Sequence, residues 1–444
     1  MTSAGMNGAD RQGLFGWFRD LDKIERRTFY ACFGGWAVDA LDTQIYSFLI
    51  PTLIALWGMT TGEAGLLGTA ALISSALGGW IAGMLCDWLG RARVLLLSIA
   101  WFMLFTILCG FANSFEELMG ARILAGLGFG GEWAAGAVLM GEVIRAEYRG
   151  KAVGGVQSAY AVGYAGAALL SSILFALFPP DLAWRWMFWL GAVPAVPALL
   201  ARRNLGESSV FLREREARVA RGAPRFNPLM IFHRQALKTT ILTALLALGV
   251  QAGAFSMQLW LPTFLRTEQG LTTVEVGYHM LAMTGGSFVG YLVAAYLCDG
   301  IGRRRSFLLF TMLNWIAIPA FLYLPVGARG LFLLDALLGF ASLGIYSALG
   351  PYFTELFPND IRATGQGFSY NFGRGVGAFF PAVVGLVSAG GQMLALRDAM
   401  ALVACASYLS VLFAVALLPE TRSRQLVPGI AEPGARNAPN LSGL

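Results

Sequence analysis

Gly58-Met59-Thr60-Thr61-Gly62-Glu63-Ala64-Gly65 recurs 212 residues later as Gly270-Leu271-Thr272-Thr273-Val274-Glu275-Val276-Gly277. Further pairs fall at almost the same offset: Pro51-Thr52 with Pro262-Thr263, Cys86-Asp87 with Cys298-Asp299, and Gly90-Arg91 with Gly302-Arg303. Glu142 and Arg149 likewise match Glu355 and Arg362. Chance gives one such match, not a series in register, so the chain is an internal duplication.

Each copy is built from apolar runs. Of the 444 residues, 57% are hydrophobic and 13% charged, with mean hydropathy +0.62, against ~25% charged in a soluble domain. Runs of about 20 residues, enough to cross a ~30 Å hydrocarbon layer, lie near 30–56, 65–86, 94–112, 118–140, 151–178 and 186–201. A second set lies near 239–265, 276–298, 306–325, 331–354, 364–389 and 399–418. The expected fold is therefore an all-α membrane protein of twelve transmembrane helices in two six-helix pseudo-repeats. Its parts are an N-terminal segment (1–29), a first half (30–201), a polar linker (202–238), a second half (239–421) and a tail (422–444).

Charge sets the orientation. With both termini inside, the inner segments hold 26 of the 32 Lys and Arg residues and the outer loops 4, the bias expected of cytoplasmic loops. The net charge of +6 then reflects membrane anchoring rather than nucleic-acid binding. Residues 1–27 carry nine charged side chains and no apolar stretch typical of a secretory signal, so the first span reads as an uncleaved helix. Phe15 to Phe29 reads as a short amphipathic surface helix or a frayed tail. Two His and five Cys, each Cys in an apolar segment, imply no metal site, no cofactor and no disulfide framework.

Several motifs go further. Gly83-Met84-Leu85-Cys86-Asp87-Trp88-Leu89-Gly90-Arg91-Ala92-Arg93 resembles the hallmark loop of the major facilitator superfamily, and Asp299-Gly300-Ile301-Gly302-Arg303-Arg304-Arg305 resembles its second copy, with Ala295 where the family has Gly. Arg122-Ile123-Leu124-Ala125-Gly126-Leu127-Gly128, Trp184-Arg185, Gly206-Glu207-Ser208 and Pro419-Glu420-Thr421-Arg422 extend the likeness over residues 28–421. The last three resemble the sugar and metabolite symporter branch. Asp39-Ala40-Leu41-Asp42 is similar to the first span of proton-coupled aromatic-acid and sialate or monocarboxylate symporters, with Ala40 and Leu41 in place of Gly-Phe. The fifth span lacks the Gly-Pro pair of drug/proton antiporters. This resemblance implies alternating access about a central site, with Asp87, Arg91, Arg93, Asp299, Arg303 and Arg305 latching an inner gate. Gly83, Gly90 and Gly302 belong to the same loops. Glu142 with Arg149, and Glu355 with Arg362, are expected to pair with these loops at the cytoplasmic helix ends.

Charges within the membrane are costly and are functional candidates by default. Asp39 and Asp42 lie roughly 13 and 18 Å into the first span at 1.5 Å per residue. Their i, i+3 spacing places them on one face, with Tyr46 a turn beyond. Two carboxylates that close repel when both are ionised, which favours proton uptake by one of them. Arg122 resembles the arginine that couples proton and substrate movement in the superfamily. Arg374, roughly 16 Å along the eleventh span, suits a carboxylate because a guanidinium grips it in bidentate fashion and keeps its charge; its structural alternative is a salt bridge to Asp335 or Glu132. Asp39, Asp42, Glu132 and Asp335 outnumber the two arginines by two, and that excess favours proton coupling. Gln157, Tyr160, Tyr164, Gln258, Trp260, Tyr346 and Asn371 are candidates to line a binding cavity.

The expected protein is a monomeric, multi-pass plasma-membrane transporter, in the inner membrane if the source is Gram-negative. It imports a small organic anion with protons as the coupling ion, Asp39, Asp42, Arg122 and Glu132 handling the coupling. Its partners are that anion and the lipid bilayer. A proton-coupled sugar or polyol symporter, a metabolite or drug exporter and a non-transporting receptor are the alternatives. No nucleophile, base and orienting group come together in the sequence as an enzyme requires.

Overall fold

The computed structural model describes residues 16–59, 61–203, 206–220, 228–388, 394–424 and 426. Parts of the N-terminal segment, the linker and nearly all of the tail beyond Arg424 lie outside the described residues. Within them the chain is helical, with no strand.

Among the described residues nine helices are long and apolar enough to cross a membrane, and three further helical stretches stand beside them. In chain order these are α1 (Lys23–Trp57), α2 (Thr61–Leu89), α3 (Arg91–Cys109), α4 (Phe115–Val143) and α5 (Ala146–Leu177). α6 runs as Pro180–Ala192 and Ala195–Arg203. The second half holds α7 (Arg234–Thr267), α8 (Thr273–Ile301), α9 (Arg303–Tyr323) and α10 (Ala328–Leu356), then α11 as Arg362–Gly377 and Phe380–Ser388, and α12 (Leu396–Leu417).

Local chemistry places the helix ends. Asp22 caps α1, its carboxylate accepting from the Ile24 and Glu25 amides while Glu25 reaches back to the Asp22 amide. Thr272 and Glu275 form the same reciprocal box at α8. Of the stretch expected to be either an amphipathic surface helix or a frayed tail, the described part is helical in two pieces: Gly16–Arg19 forms a short turn of helix, and a new helix, started by the Asp22 cap, begins at Lys23. The linker also holds more order than its polarity suggests, with a helix at Ser209–Ala220. Gly90 and Gly302 adopt φ of 108° and 101°, a region that L side chains avoid, and so allow α2 and α3, and α8 and α9, to be joined by a single residue.

The duplication is visible in the packing. α2 packs on α4, α1 on α5 and α3 on α4; correspondingly α8 packs on α10, α7 on α11 and α9 on α10. The halves meet through α2 against α11 and, by the same exchange, α5 against α8. These seams rely on small side chains, as close helix packing requires. At Gly83 a β-carbon would fall 2.5 Å from the Ala363 carbonyl oxygen. At the equivalent seam the methyl of Ala295 is accommodated because Gly154 faces it, so the departure from the loop motif is matched across the interface.

Candidate functional site

A cavity of about 420 Å³ lies between the halves, walled by α1, α2, α4 and α5 on one side and by Phe255, Gln258, Ala378 and Pro381 of α7 and α11 on the other. Its volume falls within the roughly 300–1,000 Å³ of small-molecule sites. Asp42, Tyr46, Arg122, Ser75, Phe129 and Tyr160 all line it.

Asp42 and Arg122 face each other there. Arg122 Nη1 stands 3.6 Å from Asp42 Oδ2, and Thr106 donates to Asp42 Oδ1 at 2.9 Å. The Arg122 guanidinium also lies over the Tyr46 ring, 5.2 Å from its centroid. The contact is looser than a short bidentate pair, and it borders the cavity rather than being sealed in the protein.

Arg374 sits beneath the cavity wall in an aromatic stack. Its guanidinium lies 4.6 Å from the Phe129 centroid and 5.4 Å from that of Tyr370, and it donates to the Ser75 hydroxyl at 2.9 Å. Trp36 stacks on Phe129, and Trp133 lies near-parallel to Tyr370 with centroids 3.5 Å apart. Cation–π contacts of this kind hold the planar head and leave its hydrogen-bonding edge directed at Ser75, a cavity residue.

Below this floor the end of the bundle that carries the linker helix is closed by two equivalent locks. Asp87, at the end of α2, accepts from the Thr364 amide and hydroxyl, both at 2.8 Å, in the first turn of α11. Asp299, at the end of α8, accepts from the Gly150 and Lys151 amides of α5 at 2.9 and 2.8 Å. A carboxylate at a helix N-terminus is favoured by unsatisfied amides and by the helix dipole. Glu142 binds Arg91 at 3.1 Å and Arg362 of the opposite half at 2.8 Å. Glu355 binds Arg303 at 2.8 Å and Arg149 of the opposite half at 3.0 Å. Glu207 and Glu420 complete the pattern by accepting from the Arg91 and Arg303 amides.

The structure redistributes several sequence-based assignments. The two glutamates pair with the loop arginines as expected, whereas Arg149 and Arg362 cross to the other half's glutamate. Arg93 and Arg305 are exposed and sit outside the locks, because two residues along a helix rotate a side chain by about 200°. Asp39 is fully buried and, one turn before Asp42 on α1, does not line the cavity. Glu132 is buried beside Trp36, Trp133 and Gln157. Asp335 contacts His279 rather than Arg374, so the excess of membrane acids over bases counted from sequence omitted a histidine partner.

Among the cavity candidates, Tyr160 and Gln258 line the wall. Gln157 instead accepts from Trp133, and Trp260 ties α7 to the Pro381 carbonyl. Tyr164 packs on Phe48, Tyr346 is buried in a 3₁₀ turn of α10, and Asn371 donates to the Gly367 carbonyl. Ser75, Thr106 and Gln44, which donates to Tyr160, went unnoticed because single hydroxyls and amides in apolar runs carry no spacing signal. Phe129 was hidden among 31 phenylalanines.

The sequence profile of the Major Facilitator Superfamily matches residues 32–381. The chain belongs to the major facilitator superfamily. This superfamily member is 42% identical over 409 residues to a probable 4-methylmuconolactone transporter of Cupriavidus pinatubonensis, covering 92% of this chain and 94% of that one. It is 30% identical to the cis,cis-muconate transport protein of Acinetobacter baylyi, over 82% and 88% of the two chains. In fold it is similar to the proton:xylose symporter XylE bound to 6-bromo-6-deoxy-D-glucose, with a TM-score of 0.74 at 17% identity over 91% of this chain and 98% of that one. The protein is therefore a multi-pass membrane transporter of this superfamily and not an enzyme.

Proposed function

We propose that this transporter imports a small organic anion, an aromatic acid or another monocarboxylate, by proton symport through alternating access. In this reading all twelve helical stretches span the membrane, both termini and the linker are cytoplasmic, and the protein acts as a monomer in the plasma membrane, the inner one in a Gram-negative cell. Protons are the coupling ion, and no cofactor is required. The 26-to-4 bias of basic residues supports the orientation, and the relatives named for muconate and methylmuconolactone support a carboxylate cargo.

The observation that carries the proposal is one cavity that is bordered by the Asp42–Arg122 pair and has Arg374 beneath its wall. The anion's carboxylate exchanges for Ser75 at the Arg374 guanidinium, and its apolar body lies against Phe129 and Tyr160. Proton uptake at Asp42 removes the charge that holds Arg122 and frees that guanidinium for the anion. Proton and monoanion together add no net charge, so the loaded cavity carries the same net charge as the empty one and occlusion buries no extra charge. Reorientation requires the locks at Glu142 and Glu355 to part, since each bridges the two halves.

The test uses purified protein in liposomes containing a pH-sensitive dye, with aromatic acids, short monocarboxylates, sialate-like acids and sugars added in turn. Acidification with an acid, above that of empty liposomes and lost in Arg374→Ala and Asp42→Asn, is the expected result. Acidification with a sugar alone, or with acids in both variants, overturns the reading.

A further inference from the structure

His279 of α8 touches Asp335 of α10 through Nδ1 and Oδ2, and both side chains are buried. Neither residue lines the cavity, and nothing in the coupling scheme above uses the contact. His279 is one of two histidines in the chain, and the other, His233, is exposed.

The duplication makes the position informative. At the offset of 213 that relates Glu142 to Glu355, Asp335 is the counterpart of Arg122. Equivalent places on α4 and α10 therefore carry opposite charges, and each meets a titratable partner on another helix of its own half: Asp42 for Arg122, His279 for Asp335. A buried carboxylate beside a neutral imidazole leaves one negative charge in a low-dielectric setting. One added proton shared by the two groups removes that net charge. Among the described residues Asp335 Oδ1 has no hydrogen-bond partner, and His279 is the ion-pair partner of this carboxylate.

The surroundings supply little competing charge. Glu275 lies one turn before His279 and interacts with it electrostatically; α10 adds Arg329 at its exposed start, and α7 adds Arg266 and Glu268 at its end. The turns of α5 and α9 at that end carry no charged side chain, and the Phe332 ring meets the imidazole edge-on, with centroids 6.1 Å apart.

We propose that His279 and Asp335 form a proton-binding site of the second half, separate from Asp42, whose loaded state holds α8 against α10. The inference stands apart from the identity of the cargo, and its test needs none. Protein labelled with ¹⁵N-histidine, in lipid nanodiscs, gives two imidazole signals, and His279→Gln assigns them. Across pH 5 to 9 the His279 signal is expected to change protonation state. In Asp335→Asn the pH course of that change is altered, whereas Asp42→Asn leaves it in place. The proposal is overturned if His279 keeps one state throughout, or if Asp335→Asn has no effect on it. If Asp335→Asn does not fold, Asp335→Glu serves, because a lengthened carboxylate must also shift the midpoint.

Discussion

Arg362 Nη1 lies 2.8 Å from Glu142 Oε1, and these two residues belong to different halves of the molecule. The mirror contact joins Arg149 to Glu355 at 3.0 Å. Each glutamate thus shares its charge between an arginine of its own half's loop and one from the opposite half. Such a bridge can be broken without leaving a buried glutamate wholly unpaired, since Arg91 or Arg303 stays with it. That suits a contact that must form and part in every cycle.

Arg362→Gln is accordingly expected to open the linker end without unfolding the halves. Spin labels at the exposed positions Arg93→Cys and Arg305→Cys report the separation of the two halves, and the longer-distance population is expected to grow in Arg362→Gln. An unchanged distance distribution shows that the bridge does not hold this end closed.

Gly83→Leu acts on the same closure by sterics. The added side chain would meet the Ala363 carbonyl of the other half and wedge α2 from α11, so the same labels are expected to report opening. Ala295→Gly, which only removes a methyl facing Gly154, should leave the distances as they are.

Asp42→Asn is expected to abolish proton-driven accumulation, lowering it by at least about tenfold, the effect of roughly 1.4 kcal/mol. Counterflow exchange of the anion, which needs no net proton movement, should persist. The informative readout is the pH dependence of accumulation, which flattens in the variant; a retained pH profile rules out Asp42 as the proton carrier.

Arg374→Lys tests geometry rather than charge. The lysine keeps the positive charge but loses the planar head held by Phe129 and Tyr370 and its paired donors. A charge-assisted hydrogen bond is worth about 1.5–3 kcal/mol, so anion affinity by calorimetry should fall by roughly 10- to 100-fold. Ser75→Ala, which removes only the hydroxyl now bonded to Arg374, should change it far less.

The apolar runs, the register of the duplication and the capping residues are local properties. They determined by themselves that the chain is a helical membrane protein in two related halves, and they singled out Asp42, Arg122 and Arg374. A span of some 20 apolar residues has one stable solution in lipid, a helix with its own backbone bonds, so this much is legible residue by residue. The tertiary structure alone decided partnership. Asp39 shares a helix face with Asp42 yet is buried away from the cavity that Asp42 lines. Arg149 and Arg362 cross to the opposite half because α5 meets α8 and α11 meets α2 at the interface. Asp335 meets His279, 56 residues away in sequence, because α8 packs on α10. Such contacts depend on which helices lie side by side and how deep a cavity reaches, and no spacing along a single helix encodes either.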